Sequence, residues 1–438
     1  MRYEPISQEL FTGNRQRLSA LLKPNSLAVL NANDVMPTNA DGTLPFRQNT
    51  DLFYLSGIDQ EETILLLYPD APDPAHREML FLRETNEEIA RWEGHKYTKE
   101  EATEASGVGT VRWLSNFDGT LQALMASAEH VYLNTNEHLR AAVEVETRDA
   151  RFIRDLQWRY PLHRYERLAP LLHQLRAVKQ PREVALIQHA CGITERGFRR
   201  VLAFTRPGVM EYEIEAEWAH EFLSNRSRGF AYQPIVASGA NACVLHYVDN
   251  DQPCRDGDLL LMDVGAEYAH YASDLSRTIP VNGRFTPRQR QVYDAVLRVM
   301  RQAMDLLRPG GVLDDYHKQV GELMTDELFG LGLLDADEVR AQRRRNDPHE
   351  PKLYKKYFMH GTSHHLGLDV HDYGSKYRTF EPGMVFTCEP GIYIPEERIG
   401  IRLENDVLVT DGAPRDLMAS IPVEADEIEA LMQEEVEA

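Results

Sequence analysis

Cysteine is scarce in this chain: four among 438 residues, at positions 191, 243, 254 and 388, with no C-x-x-C spacing. Neither a disulfide framework nor a thiolate-rich structural zinc is expected. Long apolar runs are also missing. The longest, ILLLY and LLLM, fall far below the roughly 18 residues of a membrane-spanning helix, so no membrane partner is expected. Basic residues are outnumbered, 48 against 69 acidic, for a net charge of −21. That argues against nucleic acid as a partner, which requires a basic face. The opening stretch, MRYEPISQELFTGNRQRL, has no apolar core, so no signal peptide is expected. The cysteines then read as reduced, mostly buried thiols, and the cytoplasm as the expected compartment.

What is present is an ordinary globular composition, 42% hydrophobic and 27% charged, in a chain long enough for two or three domains. Part of the acidic excess lies in the tail VEADEIEALMQEEVEA, read as a solvated acidic helix. Residues 1–175 read as an α/β domain. Strand candidates lie at Ser26–Asn31, Glu62–Tyr68, Glu78–Arg83 and His130–Leu133, with helical stretches such as Ser7–Leu22 beside them, as in a mixed sheet with packed helices. Phe46–Gly57, FRQNTDLFYLSG, reads as a polar turn and an aromatic strand. The lone His76 and His95 read as surface residues, since isolated histidines rarely make a metal site.

A boundary is expected near Leu172–Arg182, where a helical run meets Gln180-Pro181 and proline restricts the residue before it. Residues 176–438 read as one α+β domain. Helices are expected over Glu183–Ala203, Glu211–Arg226, Thr286–Leu307 and Leu313–Phe329, bounded by Pro-Gly and Gly signals. Tyr232–Tyr247, YQPIVASGANACVLHY, reads as a strand, a turn and a second strand carrying His246. Asp335–His349 is charged, and its RRR reads as a solvated face.

The chemistry concentrates in three later stretches. Leu259–Ser276, LLLMDVGAEYAHYASDLS, runs from an apolar strand to Asp263 and then, eleven residues on, to Asp274. Two acids on adjacent strands of a hairpin repel each other and lose hydration, and a divalent cation is their simplest partner. Four of the sixteen histidines fall within His360–His371, HGTSHHLGLDVH, and imidazole is a common ligand and proton carrier. Glu389 closes the strand MVFTCEPG, and Glu404 lies in IGIRLENDVLV; the two runs read as a hairpin. Arg402 stands two residues before Glu404 and so shares its sheet face. It could pair with a ligand carboxylate, bind a substrate carboxylate, or form a plain Arg–Glu ion pair. Four carboxylates with one histidine match two divalent cations such as manganese, magnesium, cobalt or zinc. Such a pair can activate water and polarise a carbonyl.

Taken together, VLHY with His246, MDVGAEY-x4-SD with Asp263 and Asp274, HGTSHHLGLDVHD, CEPGIYI and GIRLEND resemble the aminopeptidase P family of pita-bread metallopeptidases. The resemblance covers nearly the whole chain. FRQNTDLFYLSG is similar to that family's amino-terminal domain, which single-domain methionine aminopeptidases lack. The resemblance implies metal ligands at Asp263, Asp274, His364, Glu389 and Glu404. His364 is chosen over His365 on the H-G-x-S-H spacing from His360. Asp263 would serve one metal, Asp274 and Glu404 would bridge, and Glu389 and His364 would complete the second. The implied cofactor is two divalent ions, manganese first, with zinc and cobalt as alternatives. Glu389 is the implied acid–base group. His246, His360 and His371 would position substrate and stabilise the tetrahedral intermediate, with Arg402 and Tyr232 in support. Trp92, in RWEG, is the candidate contributed by a neighbouring subunit of a homodimer or homotetramer.

The implied reaction is release of the first residue from peptides with proline second. A prolidase, restricted to dipeptides, would share all five ligands. A metal-free creatinase-like hydrolase or a non-catalytic peptide-binding module on the same fold would be expected to have lost carboxylates that are all present here.

Overall fold

Four apolar runs of the amino-terminal part form strands in a computed structural model of the protein, which describes residues 3–345, 347 and 350–434. They are β1 (Ser26–Asn31), β2 (Ile64–Leu67), β3 (Glu78–Leu82) and, after β4 (Thr110–Trp113), β5 (His130–Leu133). With β6 (Arg164–Arg167) they make a six-stranded mixed sheet in the order β4-β3-β2-β1-β5-β6. β1 runs antiparallel to β2 and parallel to β5. Alternate residues of a strand share a face. Leu27, Val29, Leu66, Phe81 and Val131 accordingly pack together against Phe117 and Leu121 of the helix Phe117–Met125 and Leu156 of the helix Arg148–Arg159. β4 and β6, TVRW and RYER, are half-exposed edge strands; neither has an apolar run to reveal it.

The stretch expected as an aromatic strand is instead a helix, Thr50–Ser56. Its caps override the β preference of Phe53 and Tyr54. The Asn49 side chain accepts from the N–H groups of Asp51 and Leu52, and Gly57, at φ 67°, closes the other end. Asp51 is buried and bonded to Arg176 at 2.7 Å and to Asn134 at 2.9 Å.

The chain divides into two units, Tyr3–Arg176 and Ala177 onward. The second begins with the helix Pro181–Phe204, started by proline at its first turn and by Glu183, whose carboxylate accepts the Gln180 N–H. The helix Glu211–Ser224 packs on it through Trp218 and Phe198. The strands then follow as β7 (Ile235–Ser238), β8 (Leu259–Val264), β9 (Glu267–Tyr268), β10 (Tyr271–Ala272) and β11 (Leu275–Pro280). After the helices Pro287–Asp305, Leu313–Gly330 and Ala336–Arg345 come β12 (Val385–Cys388), β13 (Gly391–Ile394), β14 (Ile399–Arg402), β15 (Asn405–Leu408) and β16 (Arg415–Asp416), then the helix Ala425–Glu434. Residues 435–438 of the acidic tail, and 346, 348 and 349 of the charged stretch, lie outside the described residues.

Two expectations change here. No strand follows β7 in 244–247; the chain makes a 3-10 turn, Gly239–Cys243, and an irregular loop. The outward N–H groups of β7 already have partners, Val236 on Asn250 Oδ1 at 2.9 Å and Ser238 on Glu211 Oε1 at 2.7 Å, so side chains occupy the edge that a second strand would use. The hairpin expected around Glu389 and Glu404 is present as two ladders, β12 with β15 and β13 with β14. Both acids stand in the joints between ladders, so Glu404 lies outside any strand.

β8 and β11 come very close beyond their paired ends. A Cβ on Gly265 would stand 1.8 Å from the Ser273 carbonyl oxygen, a backbone atom that cannot swing aside. Gly265→Ala is expected to cost about 1–3 kcal/mol or more, as overpacking does. Thermal unfolding checks it, by a midpoint several degrees below that of the unaltered protein.

Candidate metal centre

The register of β8 on β11 sets Asp263 opposite Ser276. Asp274, two residues before Ser276, therefore faces the same side. The Tyr232 hydroxyl lies 2.7 Å from Asp263 Oδ1 and 2.5 Å from Asp274 Oδ1. It has one proton to share between two carboxylates. Burial, and then the charges of Asp263, Asp274 and Glu404, hold this phenol well above its ordinary pKa.

Residues 362–366 run beside β12: Leu366 N–H donates to Val385, Thr387 N–H to His364, and Glu389 N–H to Thr362. This irregular pairing brings His364 to Glu389 and Asp274, with Nε2 3.4 Å from Asp274 Oδ2 and 3.7 Å from Glu389 Oε1. His364 Nδ1 lies 3.0 Å from the His365 carbonyl oxygen and donates to it, which leaves Nε2 as the lone-pair nitrogen of the neutral ring. Burial works against charging His364, but the Asp274 hydrogen bond and the Glu389 charge prevail and push it up to about 9. Glu404 N–H donates to the Ser276 carbonyl, and Ser276 Oγ donates to Glu404 Oε2 at 2.8 Å, which ties the fourth acid to β11.

Arg402 is the fixed positive charge among these acids. Its Nη2 donates to Asp263 at 2.7 Å, Nε to Ser276 Oγ at 2.8 Å and Nη1 to the Tyr393 hydroxyl at 3.0 Å. It pairs with Asp263, not with Glu404 as the plain hairpin reading has it. Tyr393 also meets His360 Nε2 at 2.8 Å. Burial and then Arg402 push His360 down to about 3, so its ring stays neutral. Below, buried Arg277 donates to the carbonyls of Ser276 and Glu404, and Asp406 accepts the Asp274 N–H at 3.1 Å.

Positive charge does not balance the acids. Burial raises Asp263 despite Arg402, lifts Glu389 to about 7, and with the three neighbouring carboxylates holds Glu404 well above its ordinary value. Donor atoms of Asp274, His364 and Glu404 all lie within 4.8 Å of one another. An uncompensated oxygen-rich set with one imidazole fits hard or borderline divalent cations.

A cavity of about 320 Å³ is lined by every site residue singled out from this unit's sequence: Tyr232, His246, Asp263, Asp274, His360, His364, His371, Glu389, Arg402 and Glu404. The His371 ring stands edge-on to that of His364, centroids 4.5 Å apart. Gln233, Ile235, Leu245, Val248 and Val370 complete the wall. Trp92 lies in the other unit, on the helix Glu87–Glu93, and is 82% exposed. The sequence reading missed Tyr393, Ser276 and Arg277. Period-2 spacing signals one of them, since Ser276 follows Asp274 by two residues; nothing local marks Tyr393 or Arg277.

A cation must displace protons from these acids. With Glu389 near 7 and His364 near 9, both groups are more protonated at pH 6 than at pH 7.5. Affinity for manganese should fall at least about tenfold over that interval, with protons released on binding. Calorimetric titration at the two pH values in different buffers measures both; a pH-independent affinity contradicts the assignment.

Residues 185–411 match Metallopeptidase family M24, and residues 11–132 match Aminopeptidase P, N-terminal domain. A Xaa-Pro aminopeptidase of Haemophilus influenzae is 36% identical over 439 residues, covering 98% of each chain. Aminopeptidase PepP of Pseudomonas aeruginosa superposes with a TM-score of 0.89 at 34% identity, over 99% of this chain and 100% of that one. Aminopeptidase P of E. coli with the inhibitor Pro-Leu gives 0.86 at 36% identity and the same coverage. Likeness along the whole length, around a site of this composition, means that the chain belongs to metallopeptidase family M24 and joins an aminopeptidase P amino-terminal domain to a pita-bread catalytic domain.

Proposed function

We propose that this chain is an Xaa-Pro aminopeptidase: a hydrolase dependent on two divalent cations that releases the first residue of peptides with proline in second position. The observation that carries this reading is the convergence of Asp274, His364 and Glu404 donor atoms in a cavity that also presents Asp263, Glu389 and three further histidines. The names of the relatives supply the substrate class. Pro-Leu, the inhibitor of the E. coli enzyme, begins with proline, as does the peptide left after the first residue is removed.

Asp263, Asp274, His364, Glu389 and Glu404 would hold the cations. Manganese is our first choice, and zinc or cobalt suits the same donors. Cations bound there would supply Lewis acidity and bring the pKa of water towards neutrality. Glu389, in the cavity wall beside His364, would take a proton from the attacking water and return it to the proline nitrogen as the C–N bond breaks. His246 and His371 face the charge that grows on the carbonyl oxygen. His360, kept neutral, orients with Tyr393 and Arg402 behind it. Tyr232 holds Asp263 and Asp274 in register. A proline amide donates no N–H, so its recognition falls to shape, and Leu245, Val248 and Val370 give the cavity an apolar wall.

Trp92 is assigned to substrate contact from a neighbouring subunit of a homodimer or homotetramer, a role that its exposure supports. The four cysteines are unpaired, which suits a reducing compartment such as the cytoplasm. Among the described residues no helix is long and apolar enough to cross a membrane.

Metal-stripped protein given manganese is expected to release arginine from Arg-Pro-Pro. Cleavage of Gly-Pro alone would make it an Xaa-Pro dipeptidase, and turnover of neither peptide under any divalent metal would overturn the reading. Asp263→Ala and Glu404→Ala should each lose more than about 100-fold in kcat/KM, beyond the usual effect of a residue that only supports a ligand, with circular dichroism unchanged. Normal turnover in either variant would remove the proposed ligand set.

A further inference from the structure

The segment 238–252 leaves the β7–β8 ladder at Ser238 and carries Leu245, His246 and Val248 to the cavity with no strand of its own. His246 itself is exposed. A carboxylate from another element holds the segment. Glu211 opens the helix Glu211–Ser224 and is fully buried. Its Oε1 accepts from the Ser238 N–H and the Ser238 hydroxyl, each at 2.7 Å, and from Asn241 Nδ2 at 3.4 Å. Its Oε2 accepts from the Tyr247 hydroxyl at 2.7 Å and the Gln252 N–H at 2.9 Å. The Glu211 N–H closes the contact by donating to the Gln252 carbonyl at 3.0 Å. One side chain thus touches the segment at its start, beside His246 and at its end. Each of these five side-chain contacts brings an N–H or O–H to a carboxylate oxygen, a pattern that two acceptor oxygens satisfy. A glutamine would keep one acceptor oxygen and turn an NH2 group towards donors.

We propose that Glu211 is a positioning residue, a clasp that fixes the 238–252 segment so that His246 holds its place against the substrate carbonyl. This rests on the Xaa-Pro aminopeptidase reading above. Displacing a reacting group by about 1 Å costs on the order of 100-fold in rate, so a loosened clasp should register in kcat although Glu211 touches no substrate.

The test uses Glu211→Gln, His246→Ala and the double variant, with manganese restored and Arg-Pro-Pro as substrate. Glu211→Gln is expected to lower kcat about 10- to 100-fold, to leave manganese content unchanged, and to speed hydrogen exchange at the amides of 238–252. In the His246→Ala background the same change should cost less than about threefold more, because the residue it positions is gone. A merely structural role would give the same factor in both backgrounds, and that result, or an unimpaired Glu211→Gln, overturns the proposal. Should Glu211→Gln fail to fold, Tyr247→Phe, which removes one donor, replaces it: a smaller loss in kcat that vanishes without His246 is expected, and an unchanged kcat overturns the clasp. Unaltered protein that leaves Arg-Pro-Pro intact overturns the functional reading instead. The clasp is then judged by exchange alone, and unchanged protection of 238–252 in the Glu211→Gln or Tyr247→Phe protein overturns it.

Discussion

Like charges forced together in a buried space are the constraint on which the carboxyl-terminal unit depends. Asp263, Asp274, Glu389 and Glu404 share one cavity with a single arginine, and each carboxylate there has given up hydration that hydrogen bonds only partly replace. The surrounding chain answers at every point of contact. Tyr232 stands between the two aspartates, Ser276 links Arg402 to Glu404, and Asp406 takes up the backbone N–H of Asp274. These contacts orient the acids and leave their charge unbalanced. A site of that kind is built for cations that arrive from outside the chain.

The same constraint accounts for where regular structure stops. Asp274 lies one residue before β11, Glu389 one residue after β12, and Glu404 between β14 and β15. A continuous ladder fixes alternate side chains on opposite faces. At a joint the chain is free to turn a side chain inward, as Glu389 and Glu404 do, while Asp263 within β8 and Asp274 just before β11 keep the alternation of their strands. Arg277 then reinforces the joint between β14 and β15 by bonding the carbonyl of Glu404 itself.

Much of this was legible in the sequence, for definite reasons. β1 and β5 coincide with their apolar runs because both faces of the sheet are covered, which leaves hydrophobicity unbroken along the strand. The cavity residues were legible because carboxylates and histidines placed among apolar neighbours are costly without a role. Part of what the sequence hides depends on contacts distant along the chain, and part on a local choice between propensities. Tyr393 looks like an ordinary strand aromatic until its hydroxyl is seen between His360 and Arg402. The helix Thr50–Ser56 was misread because two capping residues outweigh the β preference of the aromatics between them. The strand expected over 244–247 does not form because side chains of Asn250, in the loop that follows β7, and of Glu211, on the preceding helix, satisfy the edge of β7.

That satisfied edge has a consequence for how molecules of this protein meet one another in a crowded solution. An outer strand with free N–H groups is a template on which any passing extended chain can add itself, and aggregation often begins there. At Val236 and Ser238 the template is filled by an amide and a carboxylate of the molecule's own. An enzyme whose substrates are peptides thereby denies them a landing place along β7, the strand that leads into the wall of its cavity.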